Sequence, residues 1–135
     1  MARAKSRSPV DRSRVSDYMK VAESFYGGAE VAREFEYWNA AGVLIVHAAI
    51  ALADAVSIKL GGVKSRGEDH HDTIALLEEL VASSQEKRKA LLQLRRIIDH
   101  KNAVSYRGNV YEKADIEQLW RQVNRFKEWA NDVLG

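Results

Sequence analysis

At 135 residues, 46% apolar and 30% charged, the chain has the size and composition of one soluble domain with a real core. It has no cysteine, which excludes a disulfide framework and a thiolate metal site, and no apolar segment marks the N-terminus as a secretory signal. A net charge of +2 points to no class of partner, and these features suit a cytoplasmic protein.

The opening MARAKSRSPVDRSR carries Arg3, Lys5, Arg7, Arg12 and Arg14 against Asp11 alone. Residues 1–13 read as a flexible basic tail with little to bury. The alternative is an arm that touches phosphates without reading sequence. Pro9 is the single proline, and nothing after it alternates with period two, so helix is expected throughout.

A first helix starts near Ser13 or Ser16, either of which suits a cap. Val15, Tyr18, Met19, Ala22, Phe25 and Tyr26 form its apolar stripe, which continues through Val31, Ala32 and Phe35. Gly27-Gly28 is a candidate bend, and Tyr37-Trp38-Asn39 the break. A second helix, about Asn39 to Leu60, is apolar nearly all round and is therefore central. Its run from Val43 to Leu60 is interrupted by His47 and Asp54 and reads as a buried soluble helix, not a membrane span. Gly61-Gly62 ends it.

After a polar loop, a short third helix covers about His70 to Ala82, with Asp69 as its N-cap. Ser83 or Ser84 caps a fourth helix that runs to about Tyr106. A fifth covers about Lys113 to Leu134. The expected fold is all-α: an antiparallel up-and-down bundle of four long helices and one short one, occupying residues 14–135.

Polar residues within this pattern locate candidate sites. On the fourth helix, Arg95, Asp99, Asn102 and Tyr106 are spaced to share a face, while His100 falls on the outer side and Lys101 beside the apolar stripe. On the second helix, His47 and Asp54 are seven apart and share a face. A carboxylate on a central helix needs a partner, because an unpaired buried charge is costly. The expectation is a polar seam pairing Asp54 with Arg95 or Lys101, and His47 with Tyr106 or Asn102. Such a seam either fixes helix register or grips an anion or nucleotide. GEDHHD offers Glu68, Asp69, His70, His71 and Asp72 as metal ligands. Adjacent helical histidines do not face one ion, so a solvated helix start is expected and no metal site.

The helix order, the segment HAAIALADAVSIKLGG and the segment LRRIIDHKNAVSYRG together resemble the HEPN superfamily of small helical bundles, over about Val15 to Leu134. The resemblance implies a domain that handles RNA or nucleotides. Many such proteins are dimeric, metal-independent endoribonucleases of toxin–antitoxin or defence systems, carrying an Arg and, four to six residues on, a His. Arg95 and His100 match that spacing and are the implied catalytic pair. His100 would be the acid–base group and Arg95 would stabilise charge on the phosphate. Asp99, Asn102 and Tyr106 would shape the site. Other members accompany nucleotidyltransferases and end this helix with a basic residue, then Tyr and Gly; Lys101, Asn102, Tyr106 and Gly108 fit that form. The implied partners are a second copy of the chain, RNA or a nucleotide, and a nucleotidyltransferase or antitoxin; no cofactor or membrane is implied. On an ideal helix Arg95 and His100 lie about 140° apart, so they converge only if the helix distorts or a second copy completes the site. The alternative is a non-catalytic interaction domain in which the same polar residues are structural.

Overall fold

The structure is a computed structural model that describes residues 7–66 and 70–135. Helix dominates, in the order the periodicity indicates. Strand β1 (Arg7–Pro9) leads through a single 3-10 turn (Arg12–Arg14) into α1 (Val15–Glu34). Next come α2 (Trp38–Gly61), β2 (Val63–Ser65), α3 (His71–Leu80), α4 (Gln85–Asp99), α5 (Lys101–Ser105) and α6 (Lys113–Leu134). Among the described residues the result is an all-α bundle of four long helices, α1, α2, α4 and α6, with short α3 and α5 and a two-stranded ribbon added at one end.

The central helix α2 contributes fully buried Ala41, Ile45, Ala48, Ala49, Ala53, Ala55, Val56 and Ile58. Small alanines on every side let neighbours approach closely, and α1, α4, α5, α6 and α3 all pack against it. It is the one helix among the described residues long and apolar enough to cross a membrane, and 78% of that apolar window lies inside the protein. Gly42 marks the closest approach. A Cβ there would stand 2.6 Å from Val104 of α5 and 3.2 Å from Ile116 of α6, so only glycine fits. The three residues Phe35–Tyr37 join α1 to α2, which forces the two helices side by side and antiparallel.

Local chemistry explains the boundaries. Gly62 adopts φ 66° and caps α2 in the left-handed conformation, as the Gly61-Gly62 pair indicated. Glu36 takes φ 62° in the turn, so the first break spans Phe35–Tyr37 and meets the expected Tyr37-Trp38-Asn39 only at Tyr37. α1 runs unbroken through Gly27-Gly28. Neither Ser13 nor Ser16 caps α1, which starts at Val15 directly after the 3-10 turn; Asp11 caps that turn, its carboxylate accepting from the Ser13 N–H at 2.8 Å. Ser84 caps α4, accepting from the Lys87 N–H at 3.0 Å. Asp69, the expected cap of the third helix, lies outside the described residues.

Residues 7–14 depart from a free tail. β1 pairs antiparallel with β2, in the register Arg7 to Ser65, Ser8 to Lys64 and Pro9 to Val63. The Arg7 guanidinium grips both oxygens of Glu79 at 2.8 and 3.1 Å. Arg12 donates to the carbonyls of Lys59 and Leu60 at the C-terminal end of α2, where the helix dipole favours a cation. Arg14 pairs with Asp17 at 3.3 Å. Residues 7–14 are thus a strap across the bundle, and their three arginines are spent on it. Composition alone did not reveal the strap because a three-residue strand is too short to show a pattern.

Candidate functional site

The fourth helix breaks where the chemistry lies. α4 ends at Asp99, His100 serves as its C-cap, and α5 resumes at Lys101. The interruption leaves the half-buried His100 ring free to meet the segment that returns after α5. Its Nδ1 lies 2.6 Å from the hydroxyl of Tyr111. Tyr111 is 8% exposed, and burial followed by the charge of Asp115 raises its pKa. The phenol therefore stays neutral, and its hydroxyl either donates to Nδ1 or accepts from Nδ1–H, so in both cases Nε2 is the ring nitrogen that Tyr111 leaves unengaged.

Asn39, in the first turn of α2, holds this arrangement in place. Its side-chain NH2 donates to the carbonyls of Val104 at 3.1 Å and Asn109 at 2.8 Å, and its Oδ1 accepts from the Tyr111 N–H at 2.9 Å. One amide thus ties α2, α5 and the loop before α6 together.

The expected seam between the second and fourth helices does not form. Arg95, Asp99, Asn102 and Tyr106 are all exposed, Tyr106 by 78%. Arg95 lines a shallow groove with Ile74, Glu78, Arg88, Leu91 and Leu92. Asp99 faces His71 at 3.5 Å. The reason is rotational: the strip carrying these residues lies beside the core stripe but turns outward, away from α2. Of the residues expected in the seam on the fourth helix, Lys101 alone bears on His47. Burial first, and the Lys101 charge second, hold the His47 imidazole below its ordinary pKa.

Asp54 and His47 do share a face, as their spacing indicated, but it opens towards α1. They line a cleft of about 340 Å³ with Arg14, Asp17, Tyr18, Val21, Phe25, Ile50 and Ala51. Phe25 packs on His47 at 5.6 Å between ring centroids. The partner of Asp54 is Lys64, at 3.9 Å, instead of Arg95 or Lys101. Lys64 reaches it because the pairing of β1 with β2 carries the loop back over the end of α2. Burial still dominates and pushes the Asp54 carboxyl up to about 7.

The GEDHHD stretch resolves partly. Glu68 and Asp69 lie outside the described residues, and His71 faces Asp99. Among the described residues no three His, Asp or Glu side chains gather in a way that would hold a metal ion.

A HEPN-domain family model matches residues 15–133. The chain belongs to the HEPN family. Comparisons with curated proteins and with solved structures each found no match. Within this HEPN domain, Arg95 sits in regular helix, about 7.5 Å of rise behind His100. The distortion that would bring the two together begins only at His100 itself. Tyr111, Asn39 and Lys64 are the residues that the sequence left unmarked. Each acts across the fold, at a separation in sequence that no local pattern reports.

Proposed function

We propose that this HEPN-family chain cleaves RNA without a metal, with His100 as the proton-transfer group. The observation that carries the reading is the hydrogen bond between His100 and the buried, neutral Tyr111. It orients an imidazole at a helix break and reserves Nε2 for substrate, as a general acid–base requires. In the reaction the 2′-hydroxyl attacks the adjacent phosphorus, its proton passes to a base, and the 5′-oxygen leaves with a proton from an acid. The products are a 2′,3′-cyclic phosphate and a 5′-hydroxyl. One histidine performs one of the two transfers, so the second His100 of a homodimer supplies the other. Arg95 would stabilise charge on the phosphate from across that dimer. The setting proposed is a cytoplasmic toxin–antitoxin or defence system, with an antitoxin or nucleotidyltransferase as partner.

Exposed apolar residues support a second copy. Val31, Phe35 and Tyr37, at the end of α1 and the turn after it, are 52%, 64% and 65% exposed. The same face supports the second reading, a non-catalytic interaction domain that docks a different protein there. Cleavage of labelled RNA in EDTA separates the two. The catalytic reading requires that wild type cuts and that His100→Ala and Arg95→Ala do not while remaining folded.

A further inference from the structure

The cleft between α1 and α2 holds a largely buried carboxylate, Asp54, to which none of the described residues donates a hydrogen bond. The Asp54 side chain is 10% exposed and lines the cleft. Among the described residues its one charged partner is Lys64 at 3.9 Å, beyond hydrogen-bond reach. A buried carboxylate in that condition is expensive, and the raised pKa of Asp54 records the cost. A ligand that donated to it would recover that cost, and neighbouring groups define which ligand.

Two positive groups, Arg14 and Lys64, already flank the face of Tyr18, at 5.4 and 5.6 Å from the ring centroid. A third cation would meet them. An anion would meet Asp17 and Asp54. The remaining walls are the His47 ring and apolar Val21, Phe25, Ile50 and Ala51, and about 340 Å³ is at the small end of ligand pockets. The fit is a small, flat, neutral ring. Its edge must carry N–H donors for Asp54 next to a carbonyl that accepts from Lys64.

We propose that this cleft binds an oxopurine base of the guanine type, its two adjacent N–H donors on Asp54, its carbonyl on Lys64 and its ring against Phe25. This binding is independent of cleavage by His100. An adenine would present a ring-nitrogen acceptor to Asp54 and is disfavoured.

The test is calorimetric titration of the full chain with guanosine, inosine and adenosine, with the His47 ring protons followed by NMR to place the ligand. Guanosine should bind most tightly, inosine with one donor fewer should be weaker, and adenosine weakest. Asp54→Asn and Lys64→Met should each weaken guanosine by about 10- to 100-fold. Lys64 lies on the rim of the fold, so its variant reads the site even if Asp54→Asn alters folding. A 2′-O-methyl oligo-A hexamer carrying one G cannot be cleaved and distinguishes the source of the base. Much tighter binding of the hexamer assigns the cleft to a strand, and equal binding assigns it to free nucleoside. No binding of any of these probes at millimolar concentration, equal binding of adenosine, or binding unchanged in both variants would overturn the proposal. Loss of RNA cleavage with guanosine binding intact would count only against the His100 reading.

Discussion

The hydroxyl of Tyr111 and Nδ1 of His100 stand 2.6 Å apart across eleven residues that leave one helix and approach the next. This contact exists because α4 stops at Asp99 and because Asn39 pins the returning backbone. Replacing Tyr111 by Phe removes the hydroxyl and keeps the ring. Stability should fall by about 1 kcal/mol. The tautomer balance of the His100 ring should then shift, visible in its 15N shifts. RNA cleavage should fall about tenfold or more through the rate constant rather than KM, the mark of a positioning residue. An unchanged tautomer in Tyr111→Phe would remove the role assigned to the phenol.

Asp54 makes stability depend on pH in a definite direction. Its folded-state pKa of about 7 lies above the ordinary 3.8, so between those values the folded chain keeps a proton that the unfolded chain has released. Stability attributable to this group is therefore full at acid pH, declines as pH rises towards 7, and levels off above it. The total is on the order of 4 kcal/mol at most. Denaturant unfolding of wild type and Asp54→Asn from pH 4 to pH 8 should show the difference between them shift steadily in favour of the variant. A difference that does not change with pH would contradict a raised pKa.

Gly42 sets the position of α5 against α2. Substituting Ala places a methyl 2.6 Å from a methyl of Val104, so either α5 moves or the core strains. The expected cost is about 1–3 kcal/mol. Because Val104 lies four residues after His100, the His100–Tyr111 contact should loosen as well. Thermal unfolding and the His100 NMR signals measure the two effects, and Val104→Ala in the Gly42→Ala background should restore part of both.

Most helices were legible in the sequence because their apolar stripes are long: α6 runs from Lys113 to Leu134, the bounds expected for the fifth helix, and buries Ile116, Leu119, Val123 and Phe126. The central helix was legible for a different reason, its apolar character all round. What was not legible depends on contacts between neighbouring elements, made across a turn or loop. Lys87 shows this well. It is 4% exposed, and its ammonium caps α3 by donating to the carbonyls of Glu78 and Val81. The partner of Asp54 was misplaced for the same reason. Burial on α2 announced that a cation was needed, but Lys64 arrives through a three-residue strand pairing with no sequence signature. The pairing of Arg95 with His100 depended on a helix distortion, and the break that forms falls at His100 itself, after Arg95.

The most direct measurement is cleavage of a labelled RNA pool in EDTA by wild type, His100→Ala, Arg95→Ala and Tyr111→Phe, each checked for fold by circular dichroism. The account predicts cyclic-phosphate ends from wild type, none from His100→Ala or Arg95→Ala, and reduced yield from Tyr111→Phe. Folded wild type that leaves every RNA intact, or His100→Ala that cuts as wild type does, would contradict it.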